Sequence, residues 1–171
     1  KVCGEYISNE VLPYLNSLGI YPLKEVAKKI SKVQISTVKS NLIHGDLPLG
    51  GFGMSRYFLD NLMANKAISN GVTIVKDSVD SVDFEEESFT VQTNKSGIFY
   101  SKINIGAFGK RSALDVKMNR KFIQKKSPYL AVKTHVKGDF PENLVGLHNF
   151  KGGYCGVSKV ENDSINLCYI T

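Results

Sequence analysis

The chain has 171 residues, the size of one ordinary domain and long enough to bury a real core. Hydrophobic residues make up 42% and charged residues 22%, which excludes a disordered chain, and no apolar run approaches the roughly 20 residues of a membrane-spanning helix. The net charge of +6 favours anionic partners: nucleic acid, acidic lipid or a phosphate-bearing cofactor.

The opening Lys1-Val2-Cys3-Gly4-Glu5 has no apolar core of a signal peptide and no Met, so the expected true N-terminus lies upstream. A helix is expected over 9–18: Val11, Leu12, Leu15 and Leu18 share a face, Ser8 or Asn9 caps the start, and Gly19 suits the residue after the end. Pro13 belongs in its first turn. Residues 32–42 are strand-like, with Val33, Ile35 and Thr37 as β formers. Residues 45–53, with four glycines and a proline, read as a loop.

A long helix is expected over 56–70, capped by Ser55, striped by Phe58, Leu59, Leu62, Met63 and Ala67, and closed by Gly71. Residues 72–75 read as a buried parallel strand, and 103–105 as another ending on Gly106-Ala107-Phe108-Gly109. Between them 79–84, 89–93 and 98–100 form an antiparallel meander, punctuated by 85–88 and 94–97. After the basic stretch 117–126, the runs 129–136, 144–150, 154–160 and 164–170 predict an antiparallel sheet. The fold class is therefore mixed α/β and α+β, best explained by two interleaved subdomains.

Cys3, Cys155 and Cys168 are odd in number and lack Cys-x-x-Cys spacing, which reads as reduced thiols in a cytosolic protein. His44, His135 and His148 stand apart in sequence, so no metal site is expected.

Four segments carry candidate chemistry. Cys3, Gly4, Glu5 and Ser8 precede a helix N-terminus, a natural place for a polar ligand edge, although an ordinary capped loop also explains them. Arg56 stands in the first turn of the long helix, where the dipole disfavours a cation; a bidentate phosphate contact or a solvated surface Arg are the alternatives. Gly106, Ala107 and Gly109 end the expected strand at 103–105, where bare backbone suits a phosphate or ribityl chain and a plain turn is the default. Gly152-Gly153-Tyr154-Cys155-Gly156-Val157 would let a flat ligand lie against backbone, or make a hairpin turn.

In this order and spacing the four segments resemble the flavoprotein superfamily of geranylgeranyl reductases and aromatic-ring hydroxylases, over nearly the whole chain. Lys1 to Ser8 is similar to that superfamily's Lys-x-Cys-Gly-(Gly/Glu)-x-(Ile/Leu)-Ser segment. Arg56 with Phe58-Leu59-Asp60 resembles its Arg-x-x-Phe-(Asp) helix start, Gly106 to Ser112 its Gly-Ala-Asp-Gly-x-x-Ser, and Gly152 to Val157 its Gly-Gly-Tyr-Gly-Trp-(Val)-Phe-Pro.

The resemblance implies a partial FAD-binding Rossmann-like domain (1–22 and 51–116, including the meander) interleaved with an antiparallel β-sheet substrate domain (23–50 and 117–171). It implies FAD bound by Cys3, Gly4, Glu5, Ser8, Arg56, Gly106, Ala107 and Gly109. Tyr129, Gly153 and Tyr154 would wall a pocket for an apolar organic or isoprenoid substrate, with NAD(P)H as a candidate electron donor. The flavin does the chemistry in such enzymes, so no general acid or base is named.

Three departures stand out. The Gly-x-Gly-x-x-Gly fingerprint is absent, so the main pyrophosphate site is expected upstream. Phe108 replaces the usual Asp, and with no Trp in the chain Cys155-Gly156 lacks the Tyr-x-Trp element of lipid reductases. The chain reads as a fragment of a cytoplasmic oxidoreductase, with peripheral membrane contact if the substrate is a lipid and no nucleic acid expected. The rivals are a flavin-dependent halogenase and a non-catalytic basic module using 117–126 against nucleic acid or acidic lipid.

Overall fold

The plainest local signal in the sequence becomes the longest helix. The Ser55 hydroxyl accepts the Phe58 N–H at 3.1 Å, Leu59 is buried on the inner face, and Gly71 takes φ +88° beyond the end. In this computed structural model residues 2–109 and 112–171 are described. The elements in chain order are β1 (Tyr6–Ser8), α1 (Leu12–Ser17), β2 (Lys28–Ser36), β3 (Leu42–Gly53), α2 (Arg56–Ser69), β4 (Val79–Glu85), β5 (Ser88–Thr93), β6 (Ile98–Ser101), α3 (Ala113–Lys117), β7 (Ala131–Val136), β8 (Leu144–Phe150), β9 (Gly153–Lys159) and β10 (Ile165–Ile170). Two units result: Lys1–Val72 with Tyr129–Thr171, and Thr73–Pro128.

The first unit is built on a seven-stranded sheet in the order β1-β3-β2-β8-β9-β10-β7. Every pairing is antiparallel except β2 with β8, where Val33 faces Val145 and Ile35 faces Leu147 in a parallel ladder. The expected purely antiparallel sheet is thus mixed, because a parallel neighbour needs a long crossover and the whole second unit lies in that crossover. The core collects Leu15, Ile20, Phe52, Met54 and Leu59, with Ile7, Phe58 and Leu62 packed against it. It joins α1, α2 and the end of β3. Pro13 sits in the first turn of α1, as its missing N–H requires, and a single 3-10 turn over Asn9–Val11 precedes it.

The glycine-rich run 45–53 is not a loop. It forms most of β3, and the turn lies earlier, over 37–41, where the Thr37 N–H donates to the Asn41 carbonyl at 2.9 Å. The glycines serve close approach. A Cβ on Gly51 would stand 2.6 Å from the Ile7 carbonyl and against the Tyr6 ring, and one on Gly53 would overlap the Lys159 carbonyl.

The second unit holds the meander β4-β5-β6, with the Phe84 and Phe89 rings 4.6 Å apart across the first pair. Asp77 clasps the β5–β6 turn by accepting the Lys95 and Ser96 N–H groups at 2.8 and 2.7 Å. The expected strands at 72–75 and 103–105 do not form. β-branched side chains favour extended backbone but supply no ladder hydrogen bonds, and neither run pairs with a strand among the described residues. Ile103 and Ile105 are 76% and 83% exposed. No helix among the described residues is long and apolar enough to cross a membrane.

Candidate functional site: a buried carboxylate beside an apolar cavity

Glu5 holds φ +54°, an uncommon conformation for a side-chain-bearing residue, and its side chain is completely buried. Two elements supply three partners to its carboxylate: the backbone N–H of Arg56 at the start of α2 (2.8 Å), and from β7 the Lys133 ammonium and the His135 Nε2 (2.6 Å). Burial pushes the carboxyl up, but Lys133, the Arg56 N–H and His135 together outweigh it, and its pKa lies below the ordinary value. Beside it, the Ser55 N–H donates to the buried Glu161 carboxylate at 2.9 Å. The first two amides at this end of α2 are therefore satisfied by the chain's own acids, as the helix dipole favours.

The face of the sheet below this segment is polar at one end and apolar at the other. Register places Lys133, Cys168, Gly156 and Leu147 in one cross-strand row, and His135, Asn166, Ser158 and Val145 in the next. Asn166, fully buried, donates to the carbonyls of Gly4 (2.8 Å) and Cys3 (3.4 Å) and so fastens the N-terminal segment to β10. Its Oδ1 and the Ser158 hydroxyl are buried without a hydrogen-bond partner among the described residues. Burial pushes the Cys168 thiol up, with the nearby Cys3 and Cys155 adding to the effect, and Cys155 is raised by burial as well.

At the apolar end lies a cavity of about 230 Å³, lined by Gly4, Tyr6, Val33, Leu147, Tyr154 and Cys168 among others, none of them charged. Tyr6 is held in place by its hydroxyl, which donates to the Gly50 carbonyl at 3.4 Å. Cys3, Gly4, Glu5, Ser8 and Arg56 all belong to the first unit, whereas Gly106, Ala107 and Gly109 belong to the second. Tyr154 lines the cavity; Tyr129 and Gly153 lie outside its lining. The segment after Gly109 reaches Lys110 and Arg111, which fall outside the described residues.

The residues of the first unit fit only part of an FAD molecule. A phosphate has no cradle at α2, because Glu5 and Glu161 already occupy its leading amides and the Arg56 guanidinium is paired with Asp60 at 2.6 Å. The Ser8 hydroxyl is likewise engaged, accepting the Glu10 N–H at 3.3 Å. Gly4 does fit an approaching flat group: its backbone is exposed, and a Cβ there would meet nothing within 4 Å. In the second unit Gly109 is similarly open, with φ +73°.

Sequence reasoning missed Lys133, His135 and Asn166. The first two were legible in principle as a pair, since a lysine and a histidine spaced i, i+2 on a strand share a face. Glu5 was singled out as a cofactor contact, but nothing local announces a carboxylate that meets its partners about 130 residues downstream.

No family model matches the chain, and no curated protein matches it. Solved structures do match. A geranylgeranyl bacteriochlorophyll reductase-like protein of Thermoplasma acidophilum superposes on 99% of this chain and 46% of its own, with TM-score 0.79 and 17% identity. The fold is shared with part of solved flavin-dependent proteins. A flavin-dependent brominase shares it over 98% of this chain and 46% of its own, with TM-score 0.74 and 16% identity. So does HpxO of Klebsiella pneumoniae, solved with FAD and uric acid, over 97% and 46%, with TM-score 0.70 and 14% identity. The chain thus spans somewhat under half the length of each of these three proteins.

Proposed function

We propose that the chain is the substrate-facing portion of an FAD-dependent oxidoreductase, and that the cavity between Tyr6, Tyr154 and the sheet receives an apolar organic substrate. The carrying observation is the uncharged cavity on the sheet of a chain that superposes almost end to end on parts of flavin-dependent proteins. An ionised ligand entering it would lose hydration without gaining a counter-charge, so the preferred guest is neutral. FAD, when bound, supplies the redox chemistry. The exposed Gly4 backbone and the Cys3 segment, fastened by Asn166, would offer a fixed edge to a flat ring. The reading carries NAD(P)H as electron donor.

Two measurements test it. The full-length gene product should purify with stoichiometric flavin absorbance, and the 171-residue chain alone should bind added FAD weakly or not at all, because α2 offers no phosphate cradle. A colourless full-length product that ignores added FAD would overturn the assignment. Product analysis with and without O₂ then sorts the activity: saturation of an alkene under anaerobic conditions marks a reductase, whereas O₂-dependent hydroxylation, or halogenation with added halide, marks the other branches.

A further inference from the structure

Two glycines border the cavity for neither of the reasons that usually fix a glycine. Gly4 and Gly156 both line it, and neither has a left-handed φ. No backbone presses on them either. A Cβ on Gly4 meets nothing within 4 Å, and one on Gly156 meets the Cys168 carbonyl at 3.7 Å and Leu147 Cδ2 at 3.9 Å, which is ordinary contact. Gly153, in the same strand, is the contrast: its Cβ would overlap the Ile170 carbonyl. Gly156 sits between Leu147 and Cys168 in the cross-strand row, and all three line the cavity. The missing side chain is therefore a gap in the row, open to the ligand space.

We propose that Gly156, assisted by Gly4, sets the size limit of the cavity, and that its guest is a neutral fused-ring or similarly bulky apolar group. This rests on the reading of the cavity as the substrate site. An apolar cavity of about 150 Å³ holds benzene, and the volume here is about 230 Å³, which leaves room for more than one ring. A Cβ at Gly156 makes only ordinary contacts, so a side chain built on it would take up part of that surplus.

The test titrates toluene and naphthalene into the chain and its variants, reading the methyl NMR shifts of Val33, Val145 and Leu147. The wild type should bind both. Gly156→Leu should weaken naphthalene about 10-fold or more while leaving toluene within about 3-fold, the discrimination expected when apolar volume is removed from a pocket. Gly156→Ala and Gly4→Ala should give smaller losses of the same kind, and Gly45→Ala, outside the lining, none. If Gly156→Leu fails to fold, the two Ala variants decide: selective loss of naphthalene supports the proposal, unchanged affinity overturns it. Naphthalene bound equally by the wild type and folded Gly156→Leu sinks the size limit alone. A wild type that binds neither probe sinks the substrate-site reading, and the size limit with it.

Discussion

The Glu5 carboxylate and the His135 ring meet at 2.6 Å, though 130 residues of chain separate them. With Lys133 two residues before His135, this contact ties the first segment of the chain to an edge strand of the sheet, and the Arg56 N–H ties both to α2. An acid buried so completely is tolerable only because every side of it is answered.

Replacing Glu5 with Gln should therefore destabilise the protein by about 3–5 kcal/mol, the usual result of stranding a buried partner charge, here that of Lys133. Urea midpoints measure it. The double variant Glu5→Gln with Lys133→Met should recover part of the loss, and a single variant within about 1 kcal/mol of wild type would show that the pairing adds nothing.

The pH dependence follows from the same acid. Its folded pKa lies below the ordinary value of 4.5, so it contributes stability above that value and loses it as pH falls through the folded pKa. Between about pH 6 and about pH 3 the urea midpoint of the wild type should fall faster than that of Glu5→Gln, and the gap between them should close. Parallel curves would place the acid response elsewhere.

Gly53→Ala should cost about 3 kcal/mol or more, because the obstructing atom is the Lys159 backbone carbonyl, which cannot rotate away. Gly156→Ala, by contrast, should melt close to wild type. Equal melting temperatures for these two variants would contradict the packing described around β3 and β9.

Cys155 and Cys168, both raised by burial, should alkylate with iodoacetamide at neutral pH more slowly than a free thiol. Peptide mass spectrometry after timed quenching reads the rates. Reaction of Cys168 at the free-thiol rate would mean that the cavity wall opens in solution.

In the second unit, the Asp77 carboxyl is held well below the usual carboxylate range by the Lys95 N–H, with Ser78 and Ser96 contributing. Asp77→Ala should speed amide exchange at Lys95 and Ser96 without altering the Phe84–Phe89 end of the meander.

What the sequence revealed follows the range of the forces involved. α2 was readable because Ser55, the apolar stripe and Gly71 lie within one helix length of each other. The meander and strands β8 to β10 were readable because their turns punctuate a period-two pattern. The glycines of β3 misled because their purpose is contact with Tyr6, Ile7 and Lys159, none of them a chain neighbour. Residues 72–75 and 103–105 misled for the opposite reason, since local β preference is real but a strand exists only once another strand answers it. Of the candidate site, the sequence singled out Gly4 as a cofactor contact and Tyr154 as a pocket wall, and both line the cavity, whereas the carboxylate network needed three dimensions to be seen.

The parallel pairing of β2 with β8 also sets an order of events during synthesis. When Val72 leaves the ribosome, β2 lacks its inner neighbour and Glu5 has met neither Lys133 nor His135, which are encoded more than 60 residues later. The nascent N-terminal portion must wait, with an unanswered acid and an open sheet edge, until the intervening unit has emerged; such non-local closure is slow and exposes the chain to wrong partners, so this is the stretch of translation at which a chaperone would matter most.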